Sequence, residues 1–307
     1  VYFCAMLEKE FSEAINEELL LPEFEKNGFS VAIKREDLVF PFASGNKWRK
    51  LKYNLQAFKS SSFDGILSFG GAYSNHLSAT AALTALEQIP SIGIVRGDEL
   101  EHKPLNPTLA QCQANGMLLV FVSRNEYALK EQGQTAQNLL KSQTLYVLPE
   151  GGSNALAVKG CTEILSPADL GYDVVGCAVG TGGTLAGLAT AAFPHQQVVG
   201  FQCANDAMIP ERIRTFVSRE NWILLQSPVD RRYGQVGEPL VAFAKKVLDK
   251  TGVLLDPIYT APMLFQLVQM IENNTWKFGT KILLIHTGGT QGIAGFNAQK
   301  NNQWPEV

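Results

Sequence analysis

The chain has 307 residues, 46% hydrophobic and 18% charged, enough to bury one large core or two moderate ones. Its net charge of -3 and pI near 5.9 supply no basic field of the kind that neutralises phosphates along a nucleic acid, so nucleic-acid binding is excluded and small-molecule chemistry favoured. Five scattered cysteines, Cys4, Cys112, Cys161, Cys177 and Cys203, with neither CxxC nor Cys/His ligand spacing, fit a reducing compartment and no structural metal.

Residues 1–7 (VYFCAML) are too short for a signal-peptide core, lack a basic leader and run into an acidic amphipathic stretch, so a cytoplasmic protein is expected. Short β-branched runs then alternate with longer segments of helical period. In chain order come VAIKRED (31–37), the helical NKWRKLKYNLQAF (46–58), GILSFGG (65–71), the helical HLSATAALTALEQ (76–88), SIGIVRG (91–97), LLVFV (118–122), LYVLPEGG (145–152), VVGCAVG (174–180), VVGFQC (198–203) and KILLIHTGG (281–289). This alternation predicts an α/β protein with mainly parallel sheet. Residues 174–205 contain no Asp, Glu, Lys or Arg, yet their glycines and the break at GTGG read as buried strand, loop and buried helix rather than a membrane span. The polar stretches 98–116 and 204–235 are expected to be surface excursions.

Three strands share one ending. SFGG (68–71), AVGTGG (178–183) and IHTGG (285–289) each pass through paired glycines toward a helix, and three such exits on one side would enclose a pocket at the strand ends. In GTGGTLAG (180–187) the backbone N–H groups of Thr181, Gly182 and Gly183 can point at an anion, with the positive helix end and the Thr184 hydroxyl behind them. The segment is neither a P-loop nor a dinucleotide fingerprint, so a phosphate monoester on a compact cofactor suits it. Lys47, in SGNKWRKLKY (44–53), stands where loop becomes helix, and the helix end and neighbouring cations would depress its amine into a nucleophile; taken alone, the segment also reads as a solvated basic face. Ser74, Asn75 and His76 open a further helix, either as a cap or as a seat for a substrate carboxylate.

Joined together, KRED (34–37), GNKWRKL (45–51), FGGAYSNH (69–76), LPEGGSNALA (148–157), VGTGGTLAG (179–187), RYG (232–234), LLDPIYT (254–260) and HTGGTQG (286–292) resemble the family of aminocyclopropane-carboxylate deaminases and D-cysteine desulfhydrases, within the tryptophan-synthase-β-like, fold type II pyridoxal-phosphate enzymes. The motifs stand in the family's order from about residue 31 to 295. The resemblance implies two open, mainly parallel three-layer α/β lobes with the cofactor between them, residues 1–51 plus 156–307 forming the larger cofactor-binding lobe and 52–155 the smaller. It also implies a homodimer.

Residue by residue, the resemblance makes Lys47 the Schiff-base lysine and the base at Cα. Lys50 with Thr181, Gly182, Gly183 and Thr184 would hold the phosphate of pyridoxal 5'-phosphate. Asn75 would bond the cofactor's 3'-oxygen, Ser74 and the backbone at His76 would take the substrate carboxylate, and Tyr233 and Tyr259 would line the substrate side as acid or base. Family members acting on the cyclopropane amino acid have Glu and Leu where this chain has Thr260 and Thr287; desulfhydrase-like members have Thr at both. A carboxylate keeps the pyridine nitrogen protonated and the electron sink strong, whereas a hydroxyl suffices when a thiolate departs from Cβ. The expected activity is therefore β-elimination from D-cysteine to pyruvate, ammonia and sulfide. Cyclopropane ring opening to 2-oxobutanoate is the alternative, and a non-catalytic protein binding a phosphorylated ligand the remote one. The N-terminal segment, and Leu77–Ser78 after Ser-Asn-His, depart from the family pattern.

Overall fold

The computed structural model describes residues 12–41, 43–203, 206–226, 236–298 and 303–306. Among these, the strands form two sheets. The larger is ordered β1-β2-β10-β7-β8-β9, with β1 Asn16–Glu18, β2 Ser30–Lys34, β7 Val174–Val179, β8 Gln197–Gln202, β9 Trp222–Leu225 and β10 Lys281–Ile285. The smaller is ordered β5-β4-β3-β6, with β3 Gly65–Gly70, β4 Ser91–Arg96, β5 Leu118–Val122 and β6 Leu145–Leu148. Pairing is parallel throughout except for β1 against β2.

The continuous apolar runs follow from burial on both faces. In β10, Ile282 and Leu284 enter one core while Leu283 and Ile285 enter another, and in β7 Val174 and Ala178 part in the same way from Val175 and Cys177. In the small sheet Leu67, Phe69, Ile92 and Ile94 pack on one side, Ile66 and Val95 on the other. Alternate residues of a strand face opposite ways, so a strand covered on both sides must be apolar at each position. Both sheets are thus the middle layers of three-layer α/β lobes.

The eight runs read as strands are strands. Two more were not foreseen: β1 carries the sequence NEE, inside the stretch read as amphipathic, and β9 (WILL) lies in 204–235, which was expected to be a surface excursion. Both are edge strands, one polar and one only half-buried, so neither carries a core pattern. The other expected excursion, 98–116, contains a helix at Pro107–Ala114 with buried Leu109 and Cys112.

Three helices set the geometry between the sheets: α1 Asn46–Lys59, α3 Ala155–Thr162 and α4 Gly183–Ala191, with α2 (Asn75–Leu86) following β3. They approach through glycine. A Cβ on Gly160 of α3 would overlap the carbonyl oxygen of Arg49 in α1, and one on Gly187 of α4 would overlap Cys161 of α3. Around this stack Glu36, fully buried, accepts from Arg49 Nε and Nη2 at 2.9 Å each, and Glu163 accepts from Lys52 at 2.6 Å. Such pairs order α1 at both of its charged flanks.

Replacing Gly160 with Ala gains at most about 1 kcal/mol of helix propensity. The methyl meets backbone that cannot rotate away, and overpacking of this kind costs about 1–3 kcal/mol or more. Gly160→Ala is expected to lower the thermal midpoint, while Gly171→Ala, which meets nothing within 4 Å, leaves it unchanged. Differential scanning calorimetry of the two variants checks this.

Candidate active site

The ends of β3, β7 and β10 open on one cavity of about 730 Å³, and all three glycine exits reach its wall, through Gly70 and Gly71, Gly180 and Gly182, and Gly288. Lys47, on the first turn of α1, projects into it and donates to Asn46 Oδ1 at 2.9 Å. Desolvation, and then the neighbouring Lys50 cation, hold the half-buried Lys47 amine down to about 7. The expected depression is present, but burial outweighs the neighbouring cation as its cause.

Lys50 is buried one turn further on and donates to the Gly151 carbonyl at 2.9 Å, to Ser153 Oγ at 3.0 Å and to Thr181 Oγ1 at 3.4 Å. Burial also pushes its amine below the usual lysine range. The strand, glycine turn and helix of the expected cradle are present: β7 ends at Val179, Gly182 takes φ 93°, which only glycine adopts freely, and α4 begins at Gly183. Thr184 Oγ1 accepts from Asn46 Nδ2 at 2.8 Å, tying the cradle to the residue beside Lys47. Gly183 must lack a side chain, because a Cβ there would lie 2.7 Å from Ser153 Oγ.

Ser74 caps α2, its Oγ accepting from the N–H of His76 at 2.6 Å and of Leu77 at 3.3 Å. With both lone pairs engaged, its own O–H is left to donate into the cavity. Asn75 Oδ1 accepts from Gln291 at 2.9 Å. His76 is buried against Gly152; desolvation, then Lys47 and Lys50, keep its imidazole neutral, and Nε2 lies 3.3 Å from Thr80 Oγ1. Tyr259 lies on the wall with its ring edge 3.3 Å from where a Gly180 Cβ would be, and Thr287 is on the wall as well.

Tyr233 lies outside the described residues, and one described residue is not brought there. Thr260, fully buried, does not line the cavity: its hydroxyl donates to Asp256 Oδ1 at 2.7 Å and accepts from the Asp256 N–H at 2.8 Å, so it offers no free O–H to a ligand. Sequence reasoning missed Asn46, Ser153 and Asp256. Asp256 also accepts from the N–H groups of Ile258, Tyr259 and Thr260 and so sets the angle at which Tyr259 meets the wall. The signal for Ser153 was present in LPEGGSNALA, where the turn residues stood without an assigned task.

A compact phosphorylated aldehyde fits these residues. An amine near neutrality is available to it, an anion cradle stands beside a buried lysine, and His76 Nδ1 is a buried polar atom that finds no partner among the described residues. Residues 17–288 match the family model described as pyridoxal-phosphate dependent enzyme. The chain belongs to this family. Its cofactor is pyridoxal 5'-phosphate. A Thermotoga maritima protein provisionally named 1-aminocyclopropane-1-carboxylate deaminase is 31% identical over 88% of this chain and 91% of its own length. An Arabidopsis thaliana protein named bifunctional D-cysteine desulfhydrase/1-aminocyclopropane-1-carboxylate deaminase is 29% identical over 87% and 74%, and a Yersinia pestis D-cysteine desulfhydrase 28% over 89% and 90%. The crystal structure of an ACC deaminase homologue superposes with a TM-score of 0.82 at 24% identity, covering 96% of this chain and 97% of that one, which establishes the shared fold. Among the described residues no helix is long and apolar enough to cross a membrane.

The depressed Lys47 amine makes stability depend on pH in the cofactor-free protein. Between about 7 in the folded state and the ordinary lysine value of 10.5, the unfolded chain binds more protons, so stability rises with pH; below about 7 the full penalty applies. Lys47→Met is therefore expected to be more stable than the wild-type apoprotein at pH 6, with the advantage shrinking toward pH 10. Urea unfolding of both at several pH values measures it, and a constant offset would show that Lys47 is not the titrating group.

Proposed function

We propose that this pyridoxal-phosphate enzyme breaks down a small amino acid by β-elimination, with D-cysteine as the substrate and pyruvate, ammonia and sulfide as products. The observation that carries the reading is the Lys47 amine, held to about 7 on the wall of a cavity that also contains an anion cradle and a tyrosine. The cofactor, when bound, supplies the electron sink for negative charge at the substrate's Cα.

In this reading the cradle of Thr181, Gly182, Gly183 and Thr184, with Lys50 and the Ser153 hydroxyl, holds the phosphate, and Asn75 orients the ring. The Ser74 O–H and the backbone at His76 receive the substrate carboxylate at the positive end of α2. Lys47, neutral near physiological pH, removes the proton from Cα. As the Cβ–S bond breaks, the electron pair leaves with sulfur, and the Tyr259 hydroxyl would protonate it. Water then hydrolyses the released aminoacrylate to pyruvate and ammonia. Tyr233 would join Tyr259 on the substrate side.

Thr260 and Thr287 support elimination over ring opening, since they stand where the cyclopropane-specific members have Glu and Leu respectively and the desulfhydrase-like ones have Thr. The second reading, 1-aminocyclopropane-1-carboxylate deamination, is favoured by the name of the Thermotoga relative. We further infer lobes divided near residues 51 and 156, a homodimer, and a cytoplasmic setting, which the buried thiols of Cys112, Cys161 and Cys177 suit.

Lys47→Ala is expected to abolish both turnover and fixation of the cofactor by borohydride. Tyr259→Phe is expected to lower kcat by about 10²–10⁴-fold, the range of an acid–base residue, with the cofactor's visible absorption kept. Incubation with D-cysteine and with the cyclopropane amino acid separates the two readings: sulfide with pyruvate supports elimination, 2-oxobutanoate without sulfide supports ring opening, and full activity of Lys47→Ala overturns both.

A further inference from the structure

The solvent-facing part of the cavity wall carries four cations, Arg96, Arg124, Lys130 and Arg212. Three are matched: Arg124 pairs with Glu99, Lys130 with Glu150 at 3.1 Å and Arg212 with Asp206 at 2.7 Å. Among the described residues Arg96 has no carboxylate within ion-pair distance. Arg96 is itself exposed, so its guanidinium keeps contact with water, and an aromatic ring steadies it. Its guanidinium carbon lies 5.7 Å from the centre of the Tyr127 ring, within the range of cation–π attraction. Tyr127 is itself buried, and its hydroxyl donates to Glu150 Oε1 at 2.5 Å, so the platform is fixed.

Arg96 also stands close to the seat proposed for the substrate. Its Nη2 is 3.4 Å from where a Cβ of Gly71 would be, and Ser74 Oγ is 2.5 Å from where a Cβ of the preceding Gly70 would be. Gly70 thus admits the Ser74 hydroxyl, and the guanidinium lies at ordinary contact distance from the adjacent Gly71, so both groups flank the same short loop at the end of β3. A guanidinium presents a planar fork of donors that matches two oxygens of one anion.

We propose that Arg96 receives a second anionic group, carried on the substrate's side chain, so that the preferred substrates are amino acids with an acidic substituent on Cβ. The inference rests on the reading that Ser74 and the start of α2 seat the substrate's carboxylate. It adds that the distal end of the substrate is recognised by charge rather than by size alone.

The test uses the holoenzyme and two substrates that differ only in charge, S-carboxymethyl-cysteine and S-carbamoylmethyl-cysteine, each in both enantiomers. Elimination from either gives pyruvate and ammonia together with the thiol, which departs with its sulfur electron pair and a proton. We expect kcat/KM for the acid to exceed that for the amide by about tenfold or more, as one charge-assisted hydrogen bond implies. Arg96→Gln is expected to bring the ratio close to one, while Arg124→Gln, whose guanidinium is already matched by Glu99, retains it. Equal treatment of acid and amide by the wild-type enzyme, or a ratio that survives Arg96→Gln, overturns the proposal. If the cofactor's visible band is present but neither compound nor D-cysteine is turned over, it is the elimination reading that has failed. Arg96 is then judged by titrating that band with acid and amide: tighter binding of the acid, lost in Arg96→Gln, sustains the proposal, and equal binding overturns it.

Discussion

The site depends on how closely three helices can approach one another. Gly160 lets the Arg49 carbonyl of α1 rest on α3, and Gly187 lets Cys161 of α3 rest on α4. Because α1 carries both lysines and α4 opens from the glycine turn, these two contacts fix Lys47 and Lys50 relative to that turn. The side-chain bonds that cross the interval, Asn46 to Thr184 at 2.8 Å and Lys50 to Ser153 at 3.0 Å, add to these contacts. Interiors packed at this density transmit a displaced methyl directly to their neighbours, and the reacting geometry inherits that rigidity.

Within this frame the electrostatics are those of a site prepared for an anion. Desolvation, and then the Lys50 cation, depress Lys47, and desolvation, with both lysines behind it, keeps the neighbouring His76 neutral. Without a ligand each cation is poorly solvated, and Lys50 leans on the Gly151 carbonyl and two hydroxyls in place of a counter-charge. A phosphate relieves this, which couples cofactor affinity to the same burial that makes Lys47 nucleophilic. Affinity for the cofactor and reactivity of the amine thus have one physical origin.

Much of this was legible in the sequence, and the exceptions have definite causes. The eight strands were readable from their apolar runs, which are continuous where both faces are covered, as in KILLI and VVGCAV. β1 was not, because NEE is held by pairing with β2 and by the Arg35–Glu17 ion pair at 2.7 Å rather than by burial. The cradle was readable from its glycines, whose freedom a phosphate loop requires. That Lys47 is depressed could be foreseen; that desolvation leads could not, since burial of one amine is a property of all the elements around it. Ser153 and Asn46 escaped notice because a short polar residue in a turn looks the same whether it caps a helix or faces a ligand.

The bond between Thr260 and Asp256 constrains how the family could diversify. Thr260 sits without solvent exposure, its hydroxyl donating to a carboxylate that at the same time holds the first N–H groups of the helix Thr260–Glu272. Introducing a glutamate at this position alone would set two carboxylates against each other out of water and loosen the turn that aims Tyr259. A glutamate at residue 260 is therefore tolerated only if the surroundings of Asp256 change before it or together with it, which makes the position epistatic, with its order of substitutions set by one buried aspartate.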